Sequence, residues 1–291
     1  MASEVKTNKI SPATSTTINV GDSGDTLALA TDAVTGFNVG SDAAGDILYN
    51  DGTDYTRLAK PGTPADEVLT FATGATAPSW AAASSGGLLG LVKYTGDGTY
   101  TVGGTSNGTA GDEGNASVTK IVVEVQGAGG SGNREDSTDN NNSAGGGGGY
   151  AKKFLDVTNI STVTVTVGDG GPGQSNIAAG TAGGLSSFVK ATGSGSFTDV
   201  IGNGGAGGST SSLAPSEGGT ASGGDINIQG GVGSYNIQGH PAGGSILGNA
   251  GVSMQGTALT NGRGYGAGGG SGRVATSGAG ADGIILIWEY A

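Results

Sequence analysis

The chain has 291 residues, 64 of them glycine, and a formal net charge of −12 from 12 basic and 24 acidic residues. No basic stripe supplies the electrostatic footprint that nucleic acid or an anionic membrane surface needs. With no cysteine there are no disulfides, thiolate zinc sites or thiol chemistry, and with no Gly-X-Y period and 7 prolines the chain is not a collagen.

Residues 1–10 carry charge without an apolar centre, so no signal peptide is expected. The apolar runs at 88–89 and 284–288 are far too short to span a bilayer. The expectation is synthesis in the cytoplasm of the producing cell, with no membrane insertion.

Residues 1–44 are polar, with short strand candidates at 16–20 and 26–29. They read either as an ordered docking segment or as a loose tail. From residue 45 the pattern is more regular. Asp46-Ile47-Leu48-Tyr49 and Tyr55-Thr56-Arg57-Leu58 flank Asn50-Asp51-Gly52-Thr53, a hairpin signal because Asp-Gly reaches positive φ cheaply. Val68-Leu69-Thr70-Phe71 is a further strand, and Thr76 to Trp80 closes the unit. So few large apolar side chains could not offset the ordering entropy of one copy, whereas copies wound together could. Residues 81–87 are small and polar and read as a linker.

Residues 88–94 and 99–102 open the last domain, and Lys120 to Gln126 is a β-branched, partly alternating strand. Glycine then concentrates near 127–132, 145–149, 168–173, 202–208, 218–224, 230–233, 243–251 and 262–272. Two readings compete. The runs are linker between weak strands, or they are ordered polyproline II helices. In the second case three residues per turn and no internal hydrogen bonds leave every N–H and C=O for neighbouring runs. The apolar residues between the runs, Phe154, Leu155, Val163, Val165, Val167, Phe188, Ile226, Ile228 and Ile246, favour order as anchors.

Motifs for chemistry are absent or fail on context. Gly127-Ala128-Gly129-Gly130-Ser131-Gly132 fits G-x-G-x-x-G after a strand, but a polar stretch and polyglycine follow where a nucleotide site needs a helix. His240 is the only histidine, so a histidine metal site or dyad within one chain is not expected. Asp46, Asp51 and Asp54 lack calcium-loop spacing and fit turn chemistry. No catalytic site and no cofactor are expected. The candidate recognition elements are the non-glycine insertions at 133–143, 209–217, 234–241 and 253–260, because loops on a rigid scaffold carry function disproportionately. Arg134, Tyr235, Asn236, His240, Met254 and Tyr265 are the candidate receptor-binding residues. The large ones have no strand-core position, and aromatic anchors suit both sugars and protein loops.

Gly45 to Tyr49, Asp51-Gly52-Thr53, Arg57-Leu58 and Gly74-Ala75-Thr76-Ala77-Pro78-Ser79-Trp80 resemble the repeat of bacteriophage tail fibres, over about forty residues. The resemblance extends through Val123 to Gly130, Gly218-Gly219-Thr220-Ala221-Ser222-Gly223-Gly224-Asp225-Ile226-Asn227-Ile228, Gly264 to Gly270 and Gly280 to Tyr290, which look like the glycine-rich tip domain of phage fibres. It implies a trimeric β-rich shaft and a polyproline II bundle whose end loops recognise the host surface. The expected architecture is thus all-β with polyglycine (polyproline II) helices and essentially no α-helix. It divides into an N-terminal virion-attachment segment (1–44), a short shaft repeat and linker (45–87), and a glycine-rich tip (88–291). The implied protein is a homotrimeric tail fibre of the virion. Residues 1–44 would dock on other tail or adaptor proteins, and the tip would bind a bacterial surface glycan or outer-membrane protein. The alternatives are a purely structural virion part, such as a head fibre or tail-tip plug, and a loose surface or matrix protein.

Overall fold

A computed structural model describes residues 43–52, 55–62, 67–82, 87–104, 118–136, 142–210, 214–235, 241–255, 260–273 and 275–291. The strands expected at 16–20 and 26–29 lie outside the described residues, as does the docking segment except for its last two residues. The chain divides into two units, residues 1–83 and 84–291, and no helix occurs among the described residues.

The first unit is two antiparallel strand pairs. Strand β1 (Ile47–Asn50) pairs with β2 (Tyr55–Leu58), from Ile47 opposite Leu58 to Asn50 opposite Tyr55. Between them Gly52 takes φ 99°, and its N–H donates to Asn50 Oδ1 at 2.8 Å, which is the turn that Asn-Asp-Gly demands. Asp46 ties the open end. Its carboxylate accepts from the N–H groups of Ala43 and Lys60 at 2.7 and 2.8 Å and from Arg57 Nη1 at 3.1 Å. Strand β3 (Glu67–Thr70) pairs with β4 (Ser79–Ala82), and Trp80 Nε1 donates to the carbonyl of Ala59 at 2.9 Å. Ala81 and Ala82 therefore belong to β4 rather than to the linker expected at 81–87, because Val68 and Glu67 pair with them. Leu48, Tyr55, Val68, Leu69 and Phe71 are all exposed, Phe71 at 68%.

The second unit contains a β-sandwich. In chain order its strands are β5 (Leu88–Tyr94), β6 (Gly98–Thr101), β7 (Lys120–Gln126), β8 (Arg134–Glu135), β9 (Tyr150–Asp156), β10 (Ile160–Thr166), β11 (Ser186–Gly193), β12 (Val200–Gly202), β13 (Ala221–Ser222), β14 (Ile226–Ile228), β15 (Gly248–Asn249), β16 (Met254–Gln255), β17 (Arg263–Gly264), β18 (Gly272–Arg273) and β19 (Ile284–Tyr290). One sheet runs β14-β9-β7-β19-β5 and the other β13-β12-β11-β10-β6. Alternation turns Ile121, Val123, Val125, Ile285 and Ile287 inward from the first sheet. They meet Tyr100, Val163, Val165, Phe188 and Val200 from the second. Tyr100 donates its hydroxyl to Glu289 Oε1 at 2.8 Å inside this core. Burial, and then the neighbouring Glu289 charge, push the Tyr100 phenol far above its ordinary value, so it stays a donor.

Beyond the sandwich the strands run directly into glycine segments, and these are hydrogen-bonded structure rather than linker. Along 127–134 the N–H groups repeat every third residue. Those of Gly127, Gly130 and Asn133 donate to the carbonyls of Gly149, Gly146 and Ser143. Those of Ala128, Ser131 and Arg134 donate to Gly184, Thr181 and Ala178, and those of Gly129 and Gly132 to Ala281 and Gly278. A period of three with no internal bond is the polyproline II signature. The carbonyls on the same run accept from Gly205 and Gly208, from Gly269 and Gly272, and from Gly171. The run thus has six neighbours, three that take its protons and three that give it theirs. The run 143–149 is surrounded in the same way. It donates to 231 and 234, to 266 and 269, and to 203 and 206, and it accepts from 127–133, from Gly219 and from Gly243.

This packing specifies glycine by distance. A Cβ on Gly148 would lie 2.0 Å from the carbonyl oxygen of Gly127, and one on Gly130 would lie 2.1 Å from that of Ala206. The expected anchors divide accordingly. Leu155, Val163, Val165, Val167 and Phe188 are buried in the sandwich, but Phe154, Ile226, Ile228 and Ile246 are exposed. Phe154 and Leu155 must face opposite sides of one strand, Ile226 and Ile228 sit on the edge strand β14, and a bundle filled by backbone has no room for side chains.

Two outcomes follow. Gly148→Ala should lower stability by about 1–3 kcal/mol, the overpacking range, and the melting temperature by about 3–10 °C. Gly244→Ala, where a Cβ meets nothing within 4 Å, should shift stability by less than about 1 kcal/mol; thermal unfolding of the pair checks both. In the first unit, the backbone N–H groups of Lys60 and Ala43, then Arg57, hold the Asp46 carboxyl below its ordinary 3.8. This tie is fully present above that value and is lost as pH falls through the lowered pKa. The protection of the Lys60 amide, taken relative to its intrinsic exchange rate at each pH, should therefore fall on acidification, and Asp46→Ala should show the low protection at every pH.

Candidate functional site

The candidate site follows from the direction of the runs. The outward run 127–133 leaves β7 and the return run 143–149 enters β9. The same relation links 168–173 after β10 with 180–184 before β11, and 203–208 after β12 with 216–220 before β13. The run 230–234 leaves β14, and the last return run, 277–283, enters β19. The turns between outward and return runs therefore gather at the end of the bundle remote from the sandwich. The hydrogen bonds there confirm it. Asn133 N–H reaches Ser143, Arg134 bridges Ala178, Ser143 bridges Tyr235, and the N–H of Ser234 reaches Pro241. A short parallel sheet β16-β18-β8 places Met254 and Gly272 beside one another and Gly272 beside Arg134.

A collar of buried small polar residues holds this end. Asn133, fully buried, accepts from Ser143 N–H through Oδ1 at 2.8 Å and donates through Nδ2 to the carbonyl of Ser209 at 3.0 Å, tying the first loop to the second. Ser143 Oγ and Ser216 Oγ lie 2.9 Å apart. Ser271 donates its N–H and its hydroxyl to Ser253 Oγ at 3.1 and 3.0 Å. Ser277 Oγ donates to the carbonyl of Gly132 at 2.6 Å and accepts from Gln174 N–H at 2.8 Å. Where a run ends, its last backbone groups lose a neighbouring run, and these side chains supply the partner instead. Sequence reasoning missed the collar. Its signal is the Asn or Ser that ends or begins several of the glycine runs, as at Asn133, Ser143, Ser209, Ser216 and Ser271.

The expected site residues separate. Arg134, Tyr235 and the backbone of Met254 share the remote end. Arg134 reaches Asp136 Oδ1 through Nη2 at 3.4 Å, while its Nε is buried without a hydrogen-bond partner. Asn236 and His240 lie outside the described residues. Tyr265 is elsewhere. Its N–H donates to the carbonyl of Leu247 at 3.1 Å, its carbonyl accepts from Ser245 Oγ at 2.5 Å, and Gly266 after it turns at φ 73° beside Gln126. That is the corner next to the sandwich, where an open depression is lined by Ile246, Asn249 and Arg263. Tyr265 and the remote loops therefore cannot form one surface.

Among the described residues no group of three or more His, Cys, Asp or Glu side chains is placed to hold a metal ion. The remote end offers amide, hydroxyl, guanidinium and phenol groups on a backbone fixed by hydrogen bonds, an arrangement suited to binding.

No curated protein matches the sequence at a significant level. The sequence model of the family described as Glycine-rich domain matches residues 113–290, which span the bundle, the collar and most strands of the sandwich. The chain belongs to this glycine-rich domain family.

Proposed function

We propose that the chain is a virion fibre protein that recognises a receptor on the host cell surface, a glycan or an outer-membrane protein, through the loops at the remote end of its glycine bundle. The observation that carries this reading is convergence: the described ends of the insertions at 133–143, 209–217, 234–241 and 253–260 meet at one end of the bundle, on a hydrogen-bonded collar. A collar that fixes the ends of the loops lowers the entropy lost on binding. The resemblance to phage fibre tips supplies the biological setting. Residues 1–44 attach the fibre to a tail or adaptor protein of the particle. Residues 45–87 form a short shaft of three copies, a role supported by the exposure of Leu48, Tyr55, Val68, Leu69 and Phe71 in a single copy. The protein is made in the host cytoplasm and acts on the virion, by binding without a chemical step or cofactor.

Competition tests the reading. Excess purified protein should block adsorption of the parent phage. Tyr235→Ala should weaken that block about 30-fold if Tyr235 is an anchoring side chain, since such residues contribute about 2 kcal/mol or more. Replacing 236–240 by a glycine-serine stretch should weaken it at least as much, with the melting temperature unchanged. Unimpaired adsorption at saturating protein would overturn the reading.

A further inference from the structure

The two outer faces of the sandwich differ in kind. On the β13-β12-β11-β10-β6 sheet the outward positions of β6 and β10 are hydroxyls, followed by Val189 opposite Thr164 on β11 and Ile201 opposite Ser187 on β12. Thr164 lies opposite Thr99, and Thr162 opposite both Thr101 and Thr192, whose Oγ1 is 2.6 Å from that of Thr162. Across β6 and β10 that face is suited to water. The other sheet carries an apolar row in register across four strands: Phe154 opposite Val122, Val122 opposite Trp288, and Trp288 opposite Leu91. Their chain neighbours Leu155, Ile121, Ile287 and Val92 are buried in the core, so the row points outward. Phe154 is 54% exposed and Leu91 41%. A chain with 5 phenylalanines and 2 tryptophans places one of each in this row.

The rows on either side are mixed and charged. Lys152 and Glu124 form an ion pair at 3.0 Å, with Leu286 and Lys93 continuing their row. On the other side Asp156 lies opposite Lys120. An apolar centre with a polar rim is the anatomy of a protein interface.

We propose that this face is covered by the same face of two further copies of the chain, so that three tips share one apolar core around a common axis. The inference rests on the three-copy reading of the shaft. Chain length selects the occupant. Only residues 83–87 separate the end of β4 at Ala82 from the start of β5 at Leu88, and the six steps from one to the other reach at most about 22 Å. Three first units brought together to cover their exposed apolar side chains therefore confine three β5 strands to the same neighbourhood. Strand β5 is the edge strand that carries Leu91, and Leu88, 55% exposed, lies at its entry. The rim carries both signs of charge, Lys152 with Glu124 and Asp156 opposite Lys120, so identical faces bring opposite charges within reach of one another. Three joined tips also present three identical sets of remote loops together, which raises avidity for a repeated surface receptor.

The absence of cysteine makes the test direct. Leu91→Cys and, as a second position, Phe154→Cys place single thiols on the apolar face of the full chain, and Thr164→Cys places one on the hydroxyl face. The probe is a short bismaleimide, with mass read by light scattering before treatment. One thiol per chain allows only one link, so a trimer can yield a covalent dimer and one unlinked chain. The expected result is a mass of three chains, with covalent dimer from Leu91→Cys or Phe154→Cys and none from Thr164→Cys. A mass of three chains without dimer at either apolar position overturns the shared core and leaves the trimeric shaft standing. A single-chain mass overturns both.

Discussion

Everything in the glycine-rich domain depends on one contact: a glycine Cα lying against a carbonyl oxygen of the neighbouring run. At that separation polyproline II helices exchange backbone hydrogen bonds on all sides, and the run 127–134 has six such neighbours. The bundle interior is therefore peptide group against peptide group, and its order comes from satisfying N–H and C=O groups that a glycine chain cannot bury otherwise. The opposing term is the conformational entropy of glycine. The sandwich reduces it, because β7, β9, β10, β11, β12 and β19 fix one end of the runs that adjoin them. The collar of Asn133, Ser143, Ser216, Ser253, Ser271 and Ser277 fixes the other.

The division of labour between these layers explains the distribution of side chains. Large apolar residues are needed only where two sheets face one another, so Tyr100, Phe188 and the valine and isoleucine set collect there. The bundle tolerates none, so bulky residues in the glycine-rich half are displaced into turns. A scaffold whose interior is backbone leaves the loops free to vary without disturbing a core, provided the glycines and the collar stay.

How much of this was legible in the sequence depends on the kind of constraint. The Asn50-Asp51-Gly52 turn, the strand 120–126 and the closing strand obey local rules, and the structure has them. The glycine runs were legible as a choice between linker and polyproline II, because their partners lie far away in sequence: Gly129 bonds to Ala281 and Gly145 to Gly269. Composition cannot reveal such pairings. Phe154 was misjudged as an anchor because two adjacent apolar residues, Phe154 and Leu155, look equivalent until a sheet assigns them opposite faces. Tyr265 shares with the loop residues the lack of a strand-core position, but it turns the chain at the sandwich end. The serines of the collar carry no chemistry in isolation, and only their position at the ends of runs gives them a role.

The most direct test of the account is hydrogen exchange of the full chain, read at the amides of Gly129, Gly130, Gly146 and Gly147. If the bundle is held by inter-run hydrogen bonds, these glycines exchange as slowly as Val123 and Ile287 in the central strands of the sandwich. Exchange at the rate of an unstructured peptide, with protection confined to the strands, would contradict the account.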